Sequence, residues 1–396
     1  MKKESDLKIA LKSFGWAILI VLLLIFLIRT IVQEMQAQSR AAYISKAVAP
    51  NKDDLYLDSC FRWLEKMPSG GTTRIRAKEY TLTRDIILPQ MINKITRKKF
   101  IIDMNGAKIF KYGFKDTATT WERIHNVNTF RSFVIRNGEF NGSDVGLFVQ
   151  GCQMNIFENL VFAGCRTGAK FGLCLQTKMD LIEENQNRDT GVYIGCAVGI
   201  GCDASNSQSN NVTLTTFRSF GAGNAIALIA DRVSGARWTN LTNEGAGAKY
   251  FLYVNGQNSN WMKSFIAQDI HIECENRIAC IYSYVDGYAN FKFSNIFAQH
   301  GNLLVDGYGT GINVIDNINY MPNIATDKYP NLAFRNHGTG IWWQFVDCIR
   351  YGGKPYTNNF YWVTGNGATV PTPSTPGQLN CNYGNARCFE IVNVKE

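Results

Sequence analysis

The chain has 396 residues, of which 12% are aromatic and only 18% are charged, and it carries 35 glycines and a net charge of +9. This composition suits many short strands joined by turns and disfavours both a disordered chain and a helical bundle. The positive charge is scattered, apart from KITRKK at residues 94–99, so the sequence gives little support to nucleic acid binding.

An uninterrupted apolar run, Phe14 to Ile28, stands near the N-terminus and includes Trp16. Extended to residue 32, it is long enough to cross a bilayer, because about 20 helical residues rise about 30 Å. Lysines precede it, and Arg29 can extend its charged end to the interface. A cleaved signal peptide is the alternative, but the only cleavage site, near Ala37, is poor. The sequence therefore predicts a single-pass anchor, with the N-terminus cytoplasmic or virion-interior.

The residues after the anchor divide into a polar stalk and the start of a folded domain. Residues 33–52 form the stalk, and residues 1–32 form the basic tail and membrane helix. Asp53–Met67 has apolar residues at helical spacing and is followed by the stop signal Pro68–Gly71. The segments 72–89 and 98–113 alternate in polarity, which predicts strands immediately after a short helix.

A loose internal repeat begins at about Asn155. Aligned apolar positions fall at Phe217, Leu241, Ile270, Ile296 and Ile318, in steps of 24, 29, 26 and 22 residues, and the 57 residues from Leu160 to Phe217 leave room for two more units. Units of this length cannot bury an apolar face alone and are typical of solenoids. We therefore predict an all-β parallel β-helix over residues 53–345, with a β-rich capping or binding module at 346–396.

The N-terminal part of this domain resembles a known superfamily. A helix is followed by Pro68-x-Gly-Gly, then by strands containing Tyr80-Thr-Leu and ending in Ile-Ile-Leu-Pro89, and then by IIDMNGAKI at 101–109. This order is similar to the entry of the pectin-lyase-like, right-handed parallel β-helix superfamily, and the resemblance extends to about Asn336. It implies that the helix caps the first coil. It does not specify function, because the superfamily includes lyases, hydrolases and non-enzymatic phage and viral surface proteins.

The C-terminal segment Thr357–Gly377 is aromatic and rich in Gly, Thr and Pro. It is similar to a module near the ends of bacteriophage tailspikes and fibres. The alternative is a hairpin with a proline-rich loop that covers the last edge of the solenoid.

The best catalytic candidates lie in the strand-like segment DIHIECE. Asp269, His271 and Glu273 share one face by alternation, and Glu244 occupies the matching position one coil earlier. Stacked coils lie about 4.8 Å apart, so Glu244 and Glu273 are candidates for an acid and base pair. The favoured alternative is an ordinary polar outer face with His271 between carboxylates. The catalytic sets of polygalacturonases and pectate lyases are not recognisable.

Aromatic residues concentrate in the second half of the chain, and large aromatic side chains bind sugars and protein partners. The predicted glycan- or partner-binding residues are Trp342, Trp343, Tyr361 and Trp362, and at least one of the adjacent tryptophans should point outward. Interior stacking is the alternative. The rest of the group comprises Trp261, Tyr282, Tyr284, Tyr288 and Tyr308.

The 11 cysteines lack the spacing of a metal site, so no metal or cofactor is predicted. Most have apolar or small neighbours and should act as small core residues. Cys381 and Cys388 bracket a short turn and form the best disulfide candidate.

The sequence thus favours a membrane-anchored structural protein of a virion, of a spike or minor capsid type. Its expected partners are the lipid bilayer and either capsid proteins or host surface glycans, and a homotrimer is a reasonable assembly. Enzymatic activity is the less favoured alternative, as an envelope-anchored polysaccharide lyase or glycoside hydrolase.

Overall fold

The computed structural model describes residues 49–90, 99–116, 131–196, 209–220, 226–245, 249–257, 264–273, 278–285, 289–301, 304–309, 312–322, 332–336, 342–346, 349–350, 361–365, 379–380 and 389–392. Pro50–Glu396 forms one compact unit. The predicted anchor and most of the stalk lie outside the described residues. Within the described part of the chain, no helix combines the length and apolar character needed to cross a membrane.

Helix α1 (Lys52–Lys66) begins with a capping box, in which Asn51 and Asp54 exchange side-chain to backbone hydrogen bonds. Its apolar face buries Leu57, Phe61 and Leu64 against the first strands, and the ring of Phe61 lies 5.0 Å from that of Phe114. The helix ends just before the proline-glycine segment that predicted its end. It packs on the start of the sheet, as the superfamily resemblance implied.

All other described secondary structure is β-strand, and every strand pair is parallel except the β25–β26 pair. The strands are β1 (Gly70–Arg74), β2 (Glu79–Thr81), β3 (Ile86–Ile87), β4 (Lys99–Phe110), β5 (Phe114–Lys115), β6 (Ser132–Asn141), β7 (Val145–Gln153), β8 (Ile156–Ala163), β9 (Thr167–Asn185), β10 (Thr190–Gly195), β11 (Asn210–Leu214), β12 (Phe217–Phe220), β13 (Ile226–Asp231), β14 (Ala236–Glu244), β15 (Tyr250–Asn255), β16 (Ser264–Glu273), β17 (Ile281–Val285), β18 (Asn290–Gly301), β19 (Val305–Gly309), β20 (Ile312–Pro322), β21 (Leu332–Asn336), β22 (Trp342–Val346), β23 (Ile349–Arg350), β24 (Tyr361–Gly365), β25 (Leu379–Asn380) and β26 (Phe389–Val392).

The strands form two columns of parallel pairs, and together they make a right-handed β-solenoid. The first column contains β1, β2, β4, β6, β8, the second half of β9, β11, β12, β14, β16, β18, β20, β22, β23 and β26. The second column contains β3, β5, β7, the first half of β9, β10, β13, β15, β17, β19, β21 and β24. Strands β24 and β26, from the segment predicted as a separate module, thus pair in parallel with earlier coils.

The register of the first column confirms the repeat alignment. Phe217 pairs with Leu241, Leu241 with Ile270, Ile270 with Ile296, and Ile296 with Ile318. The long interval before Phe217 holds the two expected steps, from Leu160 to Ile182 and on to Phe217. Each coil therefore places its apolar residue above that of the preceding coil.

Most long strands of the first column bend at one residue with positive φ. Asn159, for example, has φ 51° and Asn295 has φ 52°. Asparagine tolerates this left-handed conformation better than most residues, which explains its abundance in the repeats. The bend residues are Asn105, Asn137, Asn159, Leu181, Asn240, Asp269, Asn295 and Asn317.

The interior is a continuous stack of apolar side chains. The rings of Phe114 and Phe140 meet edge to face at 5.1 Å, and those of Phe140 and Phe162 stack at 5.5 Å. Such pairs contribute beyond the apolar area that they bury.

Cysteines contribute to this core as expected, since Cys152, Cys165 and Cys174 are buried free thiols. Cys196 and Cys280 each take part in a disulfide bond, which the sequence did not predict. The predicted pair Cys381 and Cys388 lies outside the described residues.

Four glycines stack at one corner of successive coils, where backbone meets backbone. A Cβ atom on Gly168 would lie 2.5 Å from the carbonyl oxygen of Gly191, and one on Gly146 would lie 2.6 Å from that of Gly168. Gly113 meets Gly146 in the same way. The corner therefore has no room for side chains.

We predict that Gly168→Ala lowers the free energy of unfolding by about 1–3 kcal/mol, because the methyl group overpacks a fixed backbone. Chemical denaturation measures this change. The control is Gly164→Asn, since Gly164 has φ 59° and open space around its Cβ position; it should change stability by less than about 0.5 kcal/mol. Equal effects of the two substitutions would contradict the close contact.

Candidate functional site

The acidic strand β16 has the alternation that the sequence predicted. Asp269 and His271 are exposed, whereas Ile270 and Ile272 are buried. Asp269 is the bend residue of its coil, with φ 57°. His271 pairs in register with Thr242 of the preceding coil.

The carboxylates of this strand take part in hydrogen bonds between coils. Asp269 accepts a hydrogen bond of 2.8 Å from Asn295, and Glu273 accepts one of 2.7 Å from Gln299. The ring of His271 lies 5.0 Å from that of Phe297.

Glu244 ends the preceding strand β14 and is exposed. Its neighbour Asn243 donates a 2.6 Å hydrogen bond to the backbone carbonyl of Glu273. The four sequence-predicted catalytic candidates therefore lie on the adjacent strands β14 and β16, and side-chain amides of the next coil bind Asp269 and Glu273. Among the described residues, no three His, Cys, Asp or Glu side chains come together to hold a metal ion.

A second outer face carries a group of tyrosines on three adjacent strands of the second column. We call this group the tyrosine ladder; it consists of Tyr250 and Tyr253 of β15, Tyr282 and Tyr284 of β17, and Tyr308 of β19. Tyr253 pairs in register with Tyr282, and Tyr284 pairs with Tyr308. All five side chains are half-buried.

The rings of the ladder are stacked. Those of Tyr253 and Tyr282 are nearly parallel at 4.1 Å, and Tyr282 and Tyr308 follow at 4.9 Å. The ring of Tyr250 crosses this stack, 5.3 Å from Tyr282 at 58°. Packing against neighbouring rings restricts the rotation of these side chains before any ligand binds.

The buried carboxylate of Asp306 and the half-buried carboxylate of Asp231 accept hydrogen bonds from hydroxyl groups of this face. Asp306 is fully buried, and its carboxylate accepts hydrogen bonds from the hydroxyls of Tyr250 at 3.4 Å and Tyr308 at 3.5 Å. Asp231, earlier in the same column, accepts from the Tyr193 hydroxyl and from the Asn255 amide, both at 2.9 Å. These contacts fix the polar ends of the tyrosines.

The environment raises the pKa of three tyrosine hydroxyls on this face, those of Tyr193, Tyr253 and Tyr282. Burial, and then the neighbouring Tyr253, raises the pKa of Tyr282. Burial raises the pKa of Tyr253, and burial together with the nearby Asp231 carboxylate raises the pKa of Tyr193. The hydroxyls of Tyr193, Tyr253 and Tyr282 therefore stay neutral over the whole physiological pH range.

The sequence-predicted binding aromatics fall into both columns. Tyr361 and Trp362 belong to β24, which pairs with β21, and β21 pairs with the ladder strand β19. Trp342 and Trp343 belong to β22, in the first column. The side chains of these four residues lie outside the described part of the structure.

The ladder itself could be found from the repeat. Tyr282 lies 29 residues after Tyr253, which is the same step as that from Leu241 to Ile270. When outward-facing residues recur with the same spacing as the inward-facing ones, they are predicted to lie next to each other on adjacent coils.

Comparison with known proteins identifies the fold. No family model matches the chain, and no curated protein matches it. The catalytic unit of a GH87 alpha-1,3-glucanase from Streptomyces thermodiastaticus is similar over 89% of this chain and 67% of its own, with 9% identity and a TM-score of 0.51.

Two further solved structures resemble this chain with lower TM-scores. The catalytic domain of a GH87 alpha-1,3-glucanase in complex with tetrasaccharides shares 11% identity over 78% of this chain, with a TM-score of 0.47, and this chain covers 66% of it, slightly under two thirds. Tailspike protein 3 of bacteriophage CBA120 shares 11% identity over 85% of this chain and 64% of its own, with a TM-score of 0.33. The likeness to the Streptomyces thermodiastaticus catalytic unit shows the parallel β-helix fold that the N-terminal segment implied.

The raised tyrosine pKa values predict a loss of stability at alkaline pH. A tyrosine whose folded pKa exceeds its unfolded value of about 10 stabilises the fold fully below that pH, and this contribution is lost as pH rises through the folded pKa. Spectrophotometric titration should therefore show that Tyr193, Tyr253 and Tyr282 ionise only at higher pH or on unfolding.

Tyr193→Phe is the matched variant, and it should remove one late-ionising group from the titration. Ionisation of all 17 tyrosines together near pH 10, without loss of stability, would contradict the raised values.

Proposed function

We propose that this protein is a glycan-binding β-helix and that the tyrosine ladder is its binding surface. The observation that carries this proposal is the stacking of five half-buried tyrosines on three consecutive strands, with hydroxyls held by the buried Asp306. Tyrosine combines a large apolar ring with a polar tip, which suits the C–H and O–H groups of a sugar.

The arrangement of the ladder supports an extended ligand. Its strands follow one another at about 4.8 Å along the solenoid, so equivalent groups recur along the axis. A polysaccharide also presents repeated groups along one direction. The packed rings lose little conformational freedom on binding, which favours affinity.

The fold supports carbohydrate as the ligand class, since the glucanase catalytic unit from Streptomyces thermodiastaticus has the same architecture. We favour binding over hydrolysis or elimination because Asp269 and Glu273 are engaged by Asn295 and Gln299. These two carboxylates therefore connect one coil to the next.

The location of the protein is part of the same proposal. We infer from the apolar run Phe14–Ile28 that a single membrane span attaches the β-helix to a virion membrane, with the domain on the side opposite the N-terminus. The ladder would then face host surface glycans. Capsid proteins as partners and a homotrimeric assembly stay predictions of the sequence.

We predict that Tyr308→Ala lowers affinity for the glycans that the full-length protein selects on a glycan array about tenfold or more, because it removes one ring of the rigid stack. Tyr308→Phe keeps the ring and should lose less. The control is Tyr112→Ala, which removes a 41% exposed tyrosine outside the ladder.

Thermal unfolding of the variants separates binding from folding. The proposal requires Tyr308→Ala to stay folded at the assay temperature and to lose glycan binding while Tyr112→Ala keeps it. Full retention of binding by folded Tyr308→Ala, or no glycan bound by the native protein, would contradict the proposal.

A further inference from the structure

A polar groove lies on the first coils, away from the tyrosine ladder. It has a volume of about 380 Å³ and follows the bends of β4, β6 and β8, where Asp103, Asn105, Asn137, Glu139 and Asn159 line it together with Arg74. It lies on the first column of strands, whereas the ladder lies on the second. The two surfaces are therefore separate.

The amides in the groove have fixed orientations. The Asn137 side chain donates a 3.1 Å hydrogen bond to Asp103, and the Asn159 side chain donates one of 3.0 Å to Asn137. This chain of donors leaves the Asn159 carbonyl oxygen as an acceptor without a protein donor among the described residues. The amide planes cannot rotate without breaking these bonds.

The charges of the groove are compensated locally. Asp103 lies 3.4 Å from Arg136, and Glu139 lies 3.1 Å from Lys108. Burial opposes ionisation of Asp103, but hydrogen bonds from Asn137 and the Asn105 backbone outweigh it and lower its pKa. The groove therefore keeps Asp103 charged as a hydrogen-bond acceptor while presenting no large net charge.

Glycine leaves the floor of the groove open. Gly106 has φ 80° and no atom near its Cβ position, so a ligand can approach the backbone there. The fixed amides, the Asp103 carboxylate and the Arg74 guanidinium surround this open backbone. Together they are suited to hydrogen-bond the adjacent hydroxyl groups of a sugar ring. Compensated charge disfavours strongly acidic or basic ligands.

We propose that this groove is a second carbohydrate site, which binds one neutral pyranose residue through Asp103 and the Asn137–Asn159 amides. Its volume lies within the range of small-molecule sites. Together with the ladder, it would give the rod two separate contacts with a glycan-covered surface, which raises avidity when both are engaged.

The test uses the full-length protein and saturation-transfer NMR with the methyl α-pyranosides of glucose, galactose and mannose. Asn159→Gly keeps the left-handed backbone and removes the amide, so it should reduce the transfer signal at least fivefold. Asp103→Asn should do the same.

The matched control is Asn317→Gly. Asn317 has φ 52° and donates a 2.9 Å hydrogen bond to Asn295, as Asn159 does to Asn137, but it is not in the groove. This variant should keep the native signal. The same NMR experiment with a trisaccharide shows whether the groove binds the end of a glycan chain. In that case saturation is transferred to one terminal residue of the trisaccharide.

The proposal fails if no pyranoside gives a signal with the native protein, or if Asn159→Gly and Asn317→Gly behave alike. It also fails if Tyr308→Ala abolishes the pyranoside signal, because the sugar would then bind the ladder. Conversely, a groove signal that persists while Tyr308→Ala has no effect on the glycan array contradicts only the function proposed for the ladder.

Discussion

The structure depends on the in-register hydrogen bonding of each coil to the next. Parallel strands connect residue to residue, so every inward side chain rests on its equivalent one coil earlier. The chain of Leu160, Ile182, Phe217, Leu241 and Ile270 shows this for the core. Insertions must therefore lie in the turns between strands. Within a strand, a register shift of one residue would move the inward side chains to the outer face and the outward ones into the core.

The same constraint builds the outer surfaces. Since register is fixed by the core, outward residues at the same repeat position form rows along the axis. The rings of Tyr253 and Tyr282 stack in this way, and Asn295 donates a hydrogen bond to Asp269 of the preceding coil. Whether a row becomes an amide ladder or an aromatic one depends only on which side chain each coil supplies at that position, so one scaffold can carry several distinct surfaces.

The fold was predictable because its signal is redundant. Apolar residues recur at the same step in many coils, and the helix stop at Pro68–Gly71 marks the N-terminal cap. The acidic strand β16 was also predictable, since alternation alone assigns Asp269 and His271 outward. The tyrosine ladder was less visible, because half-buried tyrosines occur both in cores and on surfaces, and only the register separates the two.

Other features were beyond the sequence. The disulfide bonds that Cys196 and Cys280 each form were not predicted from the sequence. The polar groove depends on the way in which the bends at Asn105, Asn137 and Asn159 bring residues more than 20 positions apart into one concavity.

The central claim is that the glycans selected on the array bind the tyrosine ladder of the second column and not the acidic face around Glu244 and Glu273. Hydrogen–deuterium exchange of the full-length protein, with and without a glycan selected on the array, tests it most directly. The account predicts that added protection falls in β15, β17 and β19. Protection concentrated in β14, β16 and β18, around Glu244 and Glu273, would contradict it.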